Sequence, residues 1–132
     1  MITIGIDPDT HYTSLVILDD CNVVWSYVID VPKTLSGKAS LYATLNGIPG
    51  MVAETPDVAV ERIAIEGMQV YKDAPEKANS LIPLAFIGGG VAYALQKRWP
   101  DAALVVPKPA EWKGQIPKKL HHKRILARLN AP

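Results

Sequence analysis

Apolar residues alternate with small or polar ones at the start of the chain, where isoleucine occupies every second position of residues 2–7. This period of two predicts a β-strand, and Pro8 ends it because proline has no N–H to donate to a neighbouring strand. Residues 62–68 show the same alternation, with isoleucines on one face and Glu66 on the other. Each predicted strand therefore carries an acidic residue, Asp7 or Glu66, near its carboxyl end.

The segments between and after these two strands predict the remaining elements. β-Branched and aromatic residues favour strands over residues 13–18 and 23–31, which the turn-forming residues 19–22 separate. Apolar residues at helical spacing predict three helices, and Pro49, between two nearby glycines, is expected to break the first before its pattern is complete. These helices cover residues 36–51, 81–99 and 118–129, and a short buried strand covers residues 104–106.

This order of elements predicts an α/β fold with a mixed five-stranded sheet. A three-strand meander comes first, and the later strands lie parallel to the first strand through right-handed crossovers, with helices flanking the sheet. If the first and fourth strands are neighbours, Asp7 and Glu66 converge on one face at the carboxyl ends of parallel strands. Sites in α/β sheets commonly form at that end.

The predicted pair of carboxylates suits a metal ion. Two carboxylates close together repel each other, and a divalent cation with a preference for hard oxygen ligands, Mg²⁺ or Mn²⁺, relieves the repulsion. For either residue alone a simpler interpretation is better: Asp7 makes an Asx turn before Pro8, and Glu66 is an exposed charge at a strand end. Their joint placement on one face and at one strand end favours the metal site.

Length and composition are those of an ordinary single domain, and we expect residues 1–132 to form one. Because Cys21 is the only cysteine, the chain can form no intramolecular disulfide and no cysteine-rich zinc site. The N-terminus reaches Asp7 without the basic region of a secretory signal. We therefore expect a cytoplasmic protein.

Positive charge is concentrated near the C-terminus, although the net charge of the chain is only +1. Half of the 14 Lys and Arg residues lie between Lys108 and Arg128, where Glu111 is the only acid. Such a run usually means a solvated surface, but this lopsided ratio favours a binding patch. Its members are Lys108, Lys113, Lys118, Lys119, Lys123, Arg124 and Arg128, with Trp112 among them.

The motif Ile4-Gly5-Ile6-Asp7-Pro8 followed by a hairpin, and then Ala64-Ile65-Glu66, resembles the opening and central motifs of RuvC-type Holliday junction resolvases, particularly phage relatives. The likeness extends over nearly the whole chain. Residues 79–95, with Gly90-Val91-Ala92, resemble the family's central helix, and residues 107–128 resemble its basic segment.

The resemblance implies a ribonuclease H-like fold and a Mg²⁺- or Mn²⁺-dependent endonuclease that cleaves branched DNA, such as a four-way junction, in bacteria or phage-infected cells. Asp7 and Glu66 are then the catalytic metal ligands, and the products carry a 5′-phosphate and a 3′-hydroxyl. The DNA backbone becomes the partner of Lys108, Lys113, Lys118, Lys119, Lys123 and Arg124.

Two further features acquire a meaning from the resemblance. It implies that Tyr71 and Lys72 lie in a loop that meets DNA near the branch point, where an aromatic ring can stack on a base; covering the sheet edge is an equal alternative for Tyr71. The family acts as a homodimer, and the run Gly88-Gly89-Gly90 is costly inside a helix. The glycines therefore predict a close approach, either to the sheet or to a second copy of the helix.

The chain departs from the family pattern at its C-terminus, because the resemblance implies further acids on a helix after the basic segment. After Glu76 the only acids are Asp101 and Glu111, and neither begins a terminal helix. His121 and His122 lie within the basic helix; His121 is better interpreted as a phosphate contact when protonated or as a surface group, and His122 as a packing residue. We therefore expect that this domain lacks its C-terminal catalytic helix.

Two functions from other classes remain as alternatives. A nuclease-dead module that binds branched DNA or supports an assembly would explain the missing acids directly. A fragment of an actin-like ATPase could use the Gly5-Ile6-Asp7 turn for phosphate and metal, but such proteins need a second phosphate loop and a second lobe, which this sequence does not show.

Overall fold

The computed structural model describes residues 1–67 and 81–108. Within these ranges the chain forms five strands and two helices in the predicted order. The elements are β1 (Ile2–Asp7), β2 (Tyr12–Asp19), β3 (Asn22–Asp30), α1 (Lys38–Glu54), β4 (Arg62–Ile65), α2 (Leu81–Arg98) and β5 (Ala103–Val105).

The strands form one sheet in the order β3-β2-β1-β4-β5. β1, β2 and β3 pair antiparallel through tight hairpins, whereas β4 is parallel to β1 and β5 is parallel to β4. The predicted mixed five-stranded sheet, with a meander followed by parallel strands, is therefore confirmed. The strand order also confirms that the first and fourth strands are neighbours.

Both described helices pack against the same face of the sheet. Alternate residues of the central strands are buried on this face, including Ile4 and Ile63, which are Cα partners in β1 and β4. Burial of these side chains is the main source of stability for the domain. The helices contribute Ile48 and Met51 from α1 and Ile87, Val91 and Leu95 from α2 to this core.

The prediction that α1 breaks near Pro49 was wrong, because the helix continues through Pro49 to Glu54. An internal proline removes one helical hydrogen bond and costs about 3 kcal/mol. Ile48 and Met51, on either side of Pro49, are both buried in the core. Burying two such side chains is worth roughly as much as the proline costs, which keeps the last turns helical.

The strand predicted at residues 104–106 is present as β5, but the prediction that it is buried was wrong, since β5 is exposed throughout. Its register pairs Leu104 with Ile63 of β4, and β5 is the edge strand of the sheet. The side chain of Leu104 is 42% exposed. Among the described strands this three-residue strand has a neighbour on one side only, so apolar composition alone did not bury it.

Each of the three consecutive glycines of α2 meets a different environment. A Cβ atom at Gly90 would lie 3.2 Å from Leu45 Cδ2 of α1, so this glycine permits close packing of the two helices. A Cβ atom at Gly88 would make ordinary contacts at 3.9–4.0 Å with Pro8 and Ile65. A Cβ atom at Gly89 would meet nothing within 4 Å.

Arg98, in the last turn of α2, ties this helix to the end of α1. Its guanidinium group donates hydrogen bonds to the Val52 carbonyl and the Thr55 hydroxyl, and further ones of 3.0 and 3.4 Å to the Thr55 and Pro56 carbonyls. The same group stacks on the Trp99 ring at 4.6 Å from its centroid. Arg98 thereby supplies a charged donor to carbonyl groups at and just after the end of α1.

No helix in residues 1–67 and 81–108 is long and apolar enough to cross a membrane. The helix predicted over residues 118–129, including His121 and His122, lies outside the described ranges. So do most of the predicted loop and helix start between Glu66 and Leu81.

Candidate functional site

Asp7 and Glu66 come together at one end of the sheet, as predicted. β1 and β4 are in parallel register with Ile6 opposite Ile65, which makes Asp7 and Glu66 the next pair along the two strands. The Glu66 N–H donates a hydrogen bond of 3.1 Å to the Ile6 carbonyl, so the pairing continues to this position. Neighbouring strands are about 5 Å apart, and the two carboxylates therefore lie within reach of one small ion.

On the face of the sheet that carries this pair, the preceding residue of each strand is small. Gly5 and Ala64 are Cα partners one alternation before Asp7 and Glu66. A Cβ atom at Gly5 would lie 3.3 Å from Val16 Cγ1, so β2 crowds this position from the other side. The lack of bulk leaves the carboxylates as the prominent groups at this end of the sheet, with Asp7 exposed and Glu66 half-buried.

The turn that follows Asp7 is held by its own hydrogen bonds. Thr13 accepts the Asp9 N–H at 3.0 Å and donates its hydroxyl to the Asp9 carbonyl at 2.6 Å. Thr44, buried in α1, donates its hydroxyl to the Thr10 carbonyl at 2.8 Å. The Nε2–H group of His11 donates a hydrogen bond of 2.6 Å to the Leu35 carbonyl. The turn after Asp7 is thus anchored by both β2 and α1.

Asp9 makes an Asx contact in this turn. Its Oδ1 atom accepts the His11 N–H at 2.9 Å, two residues further along. Asp7 itself ends β1 opposite Ser14 of β2.

Two residues of the site were not predicted from the sequence. Ser14 is the Cα partner of Asp7 in β2, so its hydroxyl belongs to the same face as the carboxylate pair. The alternation of residues 13–18 already indicated this, because Ser14 precedes the buried Leu15. Gly67, directly after Glu66, donates its N–H to the Pro107 carbonyl at 2.8 Å and is buried.

Of the predicted DNA-binding residues, Lys108 is the one that lies in the described part of the chain. The pairing of Ala64 with Val105 puts Pro107 beside Glu66 and Lys108 one residue further. Lys108 therefore lies at the same end of the sheet as the carboxylate pair, and it is exposed. The predicted contacts at Tyr71, Lys72, Lys113, Lys118, Lys119, Lys123 and Arg124 lie outside the described residues.

The donor set of this site fits a divalent cation. Mg²⁺ is commonly bound by one or two carboxylates while water and substrate phosphates fill its remaining positions, and Asp7 and Glu66 supply that many carboxylates. Within residues 1–67 and 81–108 no group of three or more acidic, histidine or cysteine side chains could hold a metal. The described residues thus fit one ion shared with solvent or substrate better than a closed protein cage.

The sheet order, the flanking helices and the carboxylates at the ends of β1 and β4 define a ribonuclease H-like fold. Within this class the chain has the fold of RuvC. It is similar to Thermus thermophilus RuvC in complex with a Holliday junction substrate, with a TM-score of 0.65, 15% identity, and coverage of 98% of this chain and 78% of that one.

A second structure of Thermus thermophilus RuvC gives a TM-score of 0.57 and 17% identity, and the match covers 100% of this chain and 84% of the other. No protein-family model matches the sequence. No curated protein matches it either.

Proposed function

We propose that this protein is a metal-dependent endonuclease that hydrolyses backbone phosphodiesters of branched DNA. The observation that carries the proposal is the register of β1 and β4, which brings Asp7 and Glu66 together on one face at the carboxyl ends of parallel strands. The RuvC fold supports it, because one of the similar structures is RuvC with a Holliday junction substrate.

The described residues have distinct tasks in this proposal. Asp7 and Glu66 hold Mg²⁺ or Mn²⁺, and Ser14 offers a hydroxyl beside Asp7 that can orient its carboxylate. Lys108, at the same end of the sheet, offers positive charge to the phosphate. When bound, the cation would activate a water nucleophile and neutralise charge that develops on the phosphate.

Affinity for DNA would come mainly from the basic segment that begins at Lys108. Seven cations against one acid between Lys108 and Arg128 suit contacts with the phosphate backbone, which give affinity without reading sequence. Tyr71 and Lys72 would contact the DNA near its branch point. Binding should therefore weaken steeply with added salt.

A second copy of this chain is the proposed protein partner, and α2 offers the surface for it. Ile82, Phe86 and Tyr93 follow one another at helical spacing with Gly89 between them, and they are 53%, 60% and 71% exposed. Because a Cβ atom at Gly89 would meet nothing, two such helices could approach closely there. This face would place two sites on one four-way junction.

A nuclease-dead module that binds branched DNA is the second candidate. It is favoured by the number of ligands, since the described residues bring two carboxylates and no third acid, histidine or cysteine to the site. Two-metal cleavage requires more ligands than these. The nuclease proposal accordingly expects water and substrate phosphate to fill the remaining positions of the metal ion.

Incubation with labelled four-way junction, and with linear duplex of the same sequence, separates these candidates. The nuclease proposal expects cleavage of the junction with Mg²⁺ or Mn²⁺ and none with EDTA, with 5′-phosphate and 3′-hydroxyl ends. Tight binding of the junction without cleavage under either metal would favour the binding module. Equal weak binding of both DNAs would contradict both candidates.

A further inference from the structure

Gly67, directly after Glu66, is in close contact with the segment that leads to Lys108. Consecutive backbone N–H groups point to opposite sides here. The Glu66 N–H donates to the Ile6 carbonyl on one side, and the Gly67 N–H donates to the Pro107 carbonyl on the other. Two consecutive residues thus connect β1, β4 and the segment after β5. Gly67 thus hydrogen-bonds that segment two residues after the end of β4.

The space at Gly67 accommodates no side chain without movement of its neighbours. A Cβ atom there would lie 3.1 Å from Val106 Cγ1, 3.2 Å from the Val106 carbonyl oxygen and 3.4 Å from the Pro107 carbonyl oxygen. Two of these three atoms belong to the backbone, and the third belongs to a β-branched side chain that has little rotational freedom. A larger residue would therefore displace the segment 106–107 itself.

We infer that Gly67 is a positioning residue, which sets the place of Lys108 relative to the Asp7–Glu66 pair. Lys108 directly follows Pro107, so a displacement of residues 106–107 moves the lysine backbone. Glu66 stays where it is, because its own N–H is bonded to β1 on the opposite side. A side chain at position 67 thus changes the distance between Lys108 and the Asp7–Glu66 pair and leaves the two carboxylates in place.

This inference rests on the proposed function, because it assigns Lys108 a task in phosphodiester cleavage. Misplacement of a reacting or stabilising group by 1 Å can cost about 100-fold in rate. Gly67→Ala requires a shift of a few tenths of an ångström, so we expect about a threefold loss of single-turnover rate. Gly67→Val requires a larger shift, and we expect roughly a 10- to 100-fold loss.

A double-mutant cycle with Lys108 tests the assignment. Valine favours strands, so the Gly67→Val chain is expected to fold, and urea unfolding checks this. If Gly67 acts through Lys108, Gly67→Val lowers the rate in the wild-type background and changes it by less than about twofold in a Lys108→Ala background. The same loss in both backgrounds would overturn the inference. Gly50→Val, at an open position of α1, is the matched control and should cleave like wild type.

Amide hydrogen exchange gives a second measurement that needs neither metal nor DNA. In Gly67→Val the amide at position 67 should lose at least about tenfold of its protection, while the Glu66 amide keeps its own. Unchanged protection at position 67 would show that the segment tolerates a side chain, and the inference would fail. If instead the wild-type chain cuts no branched DNA while exchange behaves as expected, the nuclease proposal fails and the geometric role of Gly67 stands.

Discussion

The backbone N–H of Glu66 binds the carbonyl oxygen of Ile6 at 3.1 Å, one residue before Asp7. This hydrogen bond extends the parallel pairing of β1 and β4 to the point where both strands end. The two carboxylates are consequently placed by backbone pairing, which tolerates changes of the acidic side chains themselves. Isosteric substitutions should therefore test their chemistry without disturbing the sheet.

Asp7→Asn and Glu66→Gln should each abolish most metal binding. Each substitution removes one of the two proposed carboxylate ligands and keeps the size of the side chain. Loss of a residue that merely supports a ligand costs 10–100-fold, so loss of a ligand should lower Mn²⁺ affinity and junction cleavage by at least about 100-fold. Titration calorimetry with Mn²⁺ and single-turnover cleavage would measure these effects.

Asp9→Asn is the matched control for this pair. Asp9 is also exposed and lies two residues after Asp7, but its carboxylate accepts the His11 N–H within the turn. Asparagine can accept the same hydrogen bond, so metal affinity and cleavage should stay within about twofold of wild type. An equal loss in Asp9→Asn and Asp7→Asn would mean that general negative charge, rather than the paired carboxylates, attracts the cation.

Arg98→Ala should destabilise the domain by roughly 2–3 kcal/mol. The substitution removes a charged donor from the Val52, Thr55 and Pro56 carbonyls at the end of α1, and hydrogen bonds to charged groups contribute about 1.5–3 kcal/mol. Arg98→Lys should recover less than half, because one ammonium group cannot span these acceptors. Urea unfolding gives the comparison, and Lys97→Ala in the exposed neighbour should have little effect.

Stability should depend on pH through the N-terminus at the opposite end of the sheet. The pKa of the Met1 amino group is raised above 8.0, first by its hydrogen bond to Asp20 and then by the charges of Asp20, Glu61 and Asp19. Its contribution is fully present below pH 8.0 and is lost as the pH rises through the raised pKa.

Asp20→Asn tests this contribution, because it removes the charge and keeps a residue that tolerates the positive φ of 53° at this position. The difference in melting temperature between wild type and Asp20→Asn should be largest near neutral pH and shrink above the raised pKa. Asp57→Asn, in the loop before β4, should show no such change. A difference independent of pH would assign the effect to the turn conformation instead.

The sequence predicted the convergence of Asp7 and Glu66 because it follows from local patterns. A period of two sets which face each residue occupies, and the crossover rule makes β1 and β4 parallel. The end of α1 was mispredicted for the opposite reason: Pro49 is a local signal for a break, and the burial of Ile48 and Met51 that overrides it depends on the tertiary fold.

The need for a glycine at position 67 could not be predicted from the neighbouring sequence. The need for a glycine there comes from Val106 and Pro107, which lie about 40 residues further along the chain and meet Gly67 only after α2 has crossed the sheet. The exposure of Leu104 has a similar origin, because it depends on which strand forms the edge. Neither property is recorded in the residues that immediately surround these positions.

Alanine substitutions at Gly89 and Gly90 of α2 should have different effects on the stability of the domain. Gly89→Ala gains helix propensity without a clash and should stabilise the domain by up to about 1 kcal/mol. Gly90→Ala brings a Cβ atom to 3.2 Å from Leu45 Cδ2 and 3.3 Å from Ile48 Cδ1, so overpacking offsets the same gain. Thermal unfolding should rank Gly89→Ala above Gly90→Ala, and the reverse order would contradict the helix packing described above.

Self-association through α2 is tested by a bulky residue at Gly89. Tryptophan there has room in the isolated chain, because a Cβ atom meets nothing within 4 Å, but it would hold two helices apart if they meet at this point. We expect Gly89→Trp to raise the dimer dissociation constant at least about tenfold in sedimentation equilibrium, which corresponds to about 1.4 kcal/mol. The melting temperature of the monomer should change little.

Gly50→Trp is the matched control, since Gly50 is also a helical glycine with nothing within 4 Å. It lies on α1, away from the row formed by Ile82, Phe86 and Tyr93, and should leave association unchanged. Phe86→Ser should act in the same direction as Gly89→Trp, because it removes the apolar surface that a second helix would cover. If both α2 variants associate like wild type, the dimer forms through another surface, and the two sites would need a different arrangement on the junction.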